Sequence, residues 1–276
     1  MLSLNTNLTS LMVQKNLKKA MDGLNSALEK FTTGKKLNHA KDNPANYAVA
    51  KQIESKLSAW SVAQDNIVMG YDMLETASSS AELIYKHMIR IRDLCQQASN
   101  GTYGEQSINA IKTEINGRVA EIERIKKNTE YNGIKLFGEY DLENNNFVEK
   151  YVNIQVGIDS SESSRVKIKT SLSLDNFDNF INMDITNPEI LNKIDDTINE
   201  LLEYQTSIGA SQNRLEYALD YVDITTKNLT SSLSTLQDAD IAEVSSEFIK
   251  YQILQQACIT LLSTANQMPS SALQLL

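Results

Sequence analysis

The sequence predicts a mainly α protein: a long antiparallel coiled-coil helical bundle with a small β-hairpin region. Three observations lead there. Leu191, Ile194, Ile198, Leu201, Gln205, Ile208, Gln212, Leu215, Leu219, Val222, Thr226, Leu229, Leu233 and Leu236 alternate steps of three and four without a slip. That repeat lets one helix set its side chains as knobs into holes on another. Ile53, Trp60, Ile67, Leu74, Ala81, Met88 and Cys95 recur every seven residues. Only 10 Gly and 3 Pro punctuate the 276 residues, which favours long elements over many turns.

In chain order, Leu17, Met21, Leu24, Leu28 and Phe31 mark a first helix, interrupted at Gly34 within "TTGKK". Asn43 as cap and Pro44 in the first turn open a second helix running to about Ser99. At a rise of about 1.5 Å per residue it is roughly 80 Å long. Leu57 and Tyr71 flank its stripe early, Ile84 and Ile91 late. "SNGTYGEQ" breaks it. Ile108, Ile111, Ile115, Val119, Ile122 and Ile125 then mark a third helix, ended by a turn at Asn132-Gly133. "YVNIQVGI" and "SRVKIKTSL" alternate apolar and polar residues across a Ser- and Asp-rich turn, the pattern of a β-hairpin. "SLDNFDNFINMDITNPE" reads as an irregular connector to the heptad helix, where Gln205, Gln212 and Thr226 are placed to set register. Asp240 with Glu243 forms a capping box for a last helix, whose stripe is Ile241, Val244, Phe248, Tyr251, Cys258, Leu262 and Ala265.

A net charge of −9 and a pI near 4.9 speak against a dedicated nucleic-acid binder, which needs clustered Lys and Arg. Cys95 and Cys258 lie far apart in apolar contexts and read as two small buried hydrophobes. The N-terminus has no charge before Lys15 and no basic leader pattern, so it is not an ordinary secretory signal. The last stretch, "YQILQQACITLLSTANQMPSSALQLL", has no charge at all. Neither end carries the ~20 predominantly apolar residues of a membrane span, so no membrane insertion is expected. Packed in many copies round one axis, charged ends would repel at short spacing in poorly solvated surroundings. Uncharged amides and hydroxyls hydrogen-bond there instead, and the Leu and Ile stripes gain from burial at about 25 cal/mol per Å². The termini are therefore expected to be self-assembly surfaces, unordered alone and ordered in an assembly.

No catalytic, cofactor or metal site is expected. His39 and His87 are the only histidines and stand outside any ligand cluster. Zinc-helix, paired-cysteine, phosphate-loop and nucleophile-elbow motifs are absent from the sequence. Asp42, Asp238 and Asp240 read as cap and loop residues, and the sequons at Asn7 and Asn228 fall within predicted helices.

In order, "LNTNLTSLMVQKNL", "TTGKKLNHAKDNPA", "IRIRDLCQQASNGT", "EINGRVAEIERIKKNTEYNGIKLF", "NIQVG", "GASQNRLE", "DADIAEVSSEFIKYQILQQA" and "ANQMPSSALQLL" resemble flagellin. The resemblance covers roughly residues 1–157 and nearly all of 192–276. It implies an extracellular flagellar filament subunit, a homopolymer exported unfolded by the flagellar type III route. Residues 1–42 are then an N-terminal inner-tube helix with its elbow, and 43–175 the first part of a rod domain. Residues 176–187 form a short connector in place of outer domains, 188–236 return the rod, and 237–276 form the C-terminal inner-tube helix. Self-assembly falls on Leu4, Leu8, Leu11, Phe248, Tyr251, Leu254, Leu262 and Leu276. The rod core falls on Ile53, Trp60, Ile67, Leu74, Leu215, Leu219 and Val222.

The resemblance further implies an export chaperone at the C-terminal helix, filament-cap and hook-junction partners, and filament-form switching at Val152–Thr170. Arg90, Leu94 and Glu114 would contact an animal innate immune receptor, with subunit contacts as the alternative role of Arg90 and Glu114. "STLQDAD" departs from the family's basic "SRIRDAD", which puts an elbow salt bridge in doubt, and Trp60 and both cysteines are unusual for the family. The alternatives are a hook–filament junction protein and a secreted coiled-coil protein that does not polymerise. The intact "NTEYNGIKLF" and "QNRLE" favour flagellin.

Overall fold

The computed structural model describes residues 7–137, 140–141, 146–147, 151–172, 185, 187 and 189–274, with side chains left out at 140–141, 146–147 and 268–274. Among the described residues the α-helices are α1 (Leu8–Thr33), α2 (Pro44–Ala98), α3 (Glu105–Asn128), α4 (Glu189–Gln237) and α5 (Ile241–Gln274). The strands described, β1 (Glu130–Tyr131), β2 (Ile134–Lys135), β3 (Tyr140–Asp141), β4 (Asn146–Phe147), β5 (Tyr151–Gln155) and β6 (Arg165–Lys169), pair antiparallel as β1–β2, β3–β4 and β5–β6. The chain divides into two compact units. One is Met1–Leu57 with Lys227–Leu276, the other Ser58–Thr226. The predicted interruptions at Gly34 and Asp238 separate helices, whereas these unit limits fall inside the continuous helices α2 and α4.

The helix limits follow local chemistry. Gly34 ends α1 in the left-handed region at φ 69°, and its N–H reaches the Lys30 carbonyl. Asn43 Oδ1 accepts from the Asn46 N–H at 3.1 Å and starts α2 ahead of Pro44. Asp240 Oδ1 accepts from the N–H groups of Ala242 and Glu243 at 2.8 and 3.3 Å. Asn132 and Gly133 have φ of 48° and 76°, the two positive values that a tight β1–β2 hairpin turn needs.

In the second unit, α2 and α4 run antiparallel, joined by a ladder of polar contacts. Gln64 meets Asp223, Glu75 meets Gln212, Glu82 meets Gln205, and Arg92 meets Asp195. Every step up α2 is matched by an equal step down α4, so the register is constant. Gln205 and Gln212 thus do what the sequence expected. Thr226 does not, because its buried hydroxyl finds no partner. The buried side of α2 is Trp60, Ala63, Ile67, Gly70, Leu74, Ala77, Ala81, Ile84, Met88, Ile91, Cys95 and Ala98. Its second row starts with Ala and Gly, which a search for bulky residues overlooks. Tyr71, expected beside the stripe, is 42% exposed.

Of the predicted core, Trp60, Ile67, Leu74, Leu215 and Val222 are buried. Ile53 and Leu219 are only half-buried. Trp60 packs edge-on to Tyr221, with centroids 5.8 Å apart. Burial pushes the Cys95 thiol up to about 11, while Cys258 is half-buried rather than a core residue.

The β5–β6 hairpin registers Val152 with Ile168 and Ile154 with Val166, and it buries Ile154, Val166 and Ile168. Ile154 packs directly on Gly70 of α2, in space that a side chain at that position would occupy. Tyr204 of α4 is buried beneath, its hydroxyl donating to the carbonyls of Leu136 at 3.2 Å and Thr170 at 3.4 Å. It therefore ties α4 to the segments after β2 and β6. Most of the predicted connector lies outside the described residues. Substituting Tyr204→Phe is expected to lower unfolding stability by about 1–3 kcal/mol in denaturant melts, because two buried carbonyls lose a shared donor.

Candidate assembly surface

The first unit is built on α1 and α5. Two small elements set their antiparallel register. At one end Asn7 Nδ2 donates to the Ala265 carbonyl at 2.7 Å, and Ser10 Oγ to Asn266 Oδ1 at 2.9 Å. At mid-length Gly23 lets α5 come close: a Cβ there would sit 2.5 Å from the Tyr251 ring. At the other end the two connections form a bridge between Lys35 and Asp238, with the Ala239 N–H on the Gly34 carbonyl at 2.9 Å. Every cross-link named here uses an amide, a hydroxyl or the backbone.

The elbow in question for want of arginines has another fastening. Gln237 is buried and its carbonyl accepts from the Lys36 N–H at 2.7 Å, while Lys36 Nζ donates to the Thr235 carbonyl at 2.7 Å; nearby on α2, Lys51 meets Glu54 at 2.6 Å. Lys51 first, then Gln237, holds the Glu54 carboxyl below its ordinary value. Asp42 accepts from the N–H groups of Asn38 and His39 at 3.1 and 2.9 Å, as a loop residue should.

The α1–α5 contact buries Ser10, Ala20, Ala27, Val244 and Ala265, mostly small residues. The large apolar ones stay outside. Leu8 is 72% exposed, Met12 67%, Ile253 60% and Leu261 56%, with Leu11, Ile249, Leu254 and Ile259 exposed too. An apolar surface of this extent is uncommon on an isolated soluble chain and marks a surface to be covered.

The predicted assembly residues accordingly separate. Leu8, Leu11 and Leu254 point outward. Phe248, Tyr251 and Leu262 are half-buried on the side of α5 that carries Val244 and Ala265 toward α1. Leu4 and Leu276 lie outside the described residues. The regular stripe of α5, which includes Phe248, Tyr251 and Leu262, is the side that meets α1. Met12 on α1 and Ile249, Ile253, Ile259 and Leu261 on α5, outside the predicted set, are further large apolar residues left exposed.

On the second unit, Arg90 Nε reaches Glu114 Oε1 at 3.1 Å, and Arg118 joins the same carboxylate at 3.0 Å. Leu94, predicted to stand beside them as a receptor contact, is 1% exposed and presents no surface. A cavity of about 380 Å³ is lined by Lys169, Ser171, Leu172, Glu200, Glu203, Tyr204 and Ser207. The Tyr204 hydroxyl is committed to carbonyls and burial pushes its titration upward, so it is no acid or base at neutral pH. Among the described residues, no group of three or more His, Cys, Asp or Glu side chains is arranged to hold a metal ion, and no helix is long and apolar enough to cross a membrane.

Terminal helices that meet through small and uncharged groups and leave large apolar residues exposed have the build of a self-assembling structural protein. The profile of the bacterial flagellin N-terminal helical region matches residues 4–141, and that of the C-terminal helical region matches residues 191–276. The chain belongs to the bacterial flagellin family, whose members are filament subunits. Flagellin of Halalkalibacterium halodurans is 30% identical over 99% of both chains. Flagellin of Listeria innocua is 29% identical over 100% of this chain and 99% of its own length. The flagellar filament 33 kDa core protein of Treponema phagedenis is 28% identical over 99% of both chains. A putative flagellar hook-associated protein from Vibrio parahaemolyticus shares the fold over 71% of this chain and all of its own, with a TM-score of 0.59 at 17% identity.

The Glu114 carboxyl is held below the ordinary 4.5 by Arg118 and then Arg90. A carboxylate with a depressed folded value stabilises fully above the ordinary value, and the contribution is lost as pH falls through the depressed one. Glu114→Gln is therefore expected to flatten the decline of melting temperature below pH 4.5 and to change its shape little at neutral pH.

Proposed function

We propose that the outward faces of α1 and α5 are the surfaces through which this chain polymerises into a flagellar filament outside the cell. One observation carries the reading. The two terminal helices satisfy each other with small and uncharged groups while their large Leu, Met and Ile side chains remain exposed. Burying those side chains against identical copies gains about 25 cal/mol per Å², and the charge-free stretch of α5 from Tyr251 onward adds no like-charge repulsion between copies. Leu8, Leu11 and Leu254 belong to this surface. Phe248, Tyr251 and Leu262 act one step earlier by seating α5 on α1.

The partners follow the family. The chain is exported unfolded by the flagellar type III route, with a chaperone shielding α5, and it meets filament-cap and hook-junction proteins at the filament's ends. The hairpin at Val152–Thr170, seated on α2 through Ile154, is the element for switching between filament forms. A receptor reading the second unit would find Arg90 and Glu114 at the surface and Leu94 beneath them.

Ile253→Lys tests the assembly surface, because Ile253 is exposed and its replacement leaves the α1–α5 contact intact. The unmodified chain is expected to give long filaments by electron microscopy when seeded or salted out. The variant should retain its helical circular dichroism and need a protein concentration at least about tenfold higher, a change of roughly 1.4 kcal/mol per subunit. Normal filaments from the variant would refute the placement of the surface.

A further inference from the structure

We propose that Lys15, Lys18 and Lys19 of α1 form one half of a subunit contact, and that the other half is Glu243 and Glu247 of α5 in a second copy of this chain. The inference rests on the filament reading and adds an axial register to it. All three lysines are exposed, on the face of α1 that also carries Leu8, Leu11 and Met12. Among the described residues none of them forms an ion pair.

The antiparallel register sets Asn7 by Ala265 and Gly23 by Tyr251. It therefore places the lysines alongside the part of α5 around Gln255 to Ile259, where there is no carboxylate. The only acidic residues of α5, Glu243 and Glu247, lie at its other end, level with the last turns of α1. They too form no ion pair among the described residues. The neighbouring charges are otherwise disposed: Lys250 lies over the Tyr251 ring at 5.9 Å, and Glu29 pairs with His39 at 2.8 Å. Lys30, at the level of Glu243, pairs with neither glutamate.

The helix pair is thus basic at one level and acidic at another. Repeated in register, the lysines of adjacent copies repel. Sliding one copy along the helix axis by roughly 12–24 Å, about 8–16 residues at ~1.5 Å each, sets lysines beside glutamates and removes the repulsion. The competing arrangement leaves the lysines solvated, with Asp22, one turn further along α1, as their acidic neighbour.

The test compares four full-length proteins: the unmodified chain, Lys15→Glu/Lys18→Glu/Lys19→Glu, Glu243→Lys/Glu247→Lys, and all five changes together. The readout is the lowest concentration that yields sedimentable filaments. Each partial reversal is expected to raise it at least about tenfold, and the combination to return it to within about threefold of the unmodified chain. Filaments from either partial reversal at the unmodified concentration would overturn the pairing. Zero-length amine–carboxylate cross-linking of unmodified filaments gives a second reading that does not depend on variant folding. It should join peptides bearing Lys15–Lys19 to those bearing Glu243 and Glu247 in filaments and not in monomer. Cross-links absent from filaments would equally overturn the proposal. Failure of the unmodified chain to make filaments would count against the filament reading itself.

Discussion

Two chain ends that meet through amides, hydroxyls and small side chains leave their large apolar residues for something else to cover. That division governs the first unit. Asn7, Ser10 and Asn266 fix where α1 and α5 begin to run together, and Gly23 brings the helices close enough for Tyr251 to seat. Because the contact is narrow and built on Ala, Ser and Gly, it does not consume Leu8, Leu11, Met12, Ile253 or Leu261. A wider contact, with leucines turned inward, would satisfy the pair by itself and leave little drive for assembly. The uncharged character of the cross-links between α1 and α5 matters for the same reason. A single ion pair would hold two helices in one chain, but its charges would recur in every subunit of a polymer.

The second unit answers a different requirement. Its core is broad and apolar, from Trp60 to Ala98 on α2, and its register is held by polar contacts at the edges of the seam. Packing of Leu and Ile is tolerant of sliding by a heptad, whereas four matched polar contacts are not. Tyr204 and Gly70 then fix where the loops and hairpin attach, one by donating to two carbonyls, the other by having no side chain.

Much was legible in the sequence, because it depends on local chemistry and periodicity. Alternating steps of three and four gave α4 to within two residues at its start. Gly34, Asn43-Pro44, Asn132-Gly133 and Asp240 marked the breaks through left-handed backbone, capping oxygens and a locked φ. The family resemblance was carried by contiguous motifs and needed no folding to be seen. The neutrality of both ends, which pointed to assembly, is equally a property of composition.

Which face did what was decided only by tertiary structure. On α5 two apolar sets compete, and periodicity singles out the more regular one. The partner helix takes that set, so the exposed apolar residues are the other. On α2 the row Ala63, Gly70, Ala77 is too small to register as a stripe, although close packing selects small residues there. Leu94 shares a helix with exposed Arg90, yet only the arrival of other helices determines that one is covered and the other is not. A sequence specifies the sides of a helix, and burial depends on what is brought against each side, which long-range packing alone supplies.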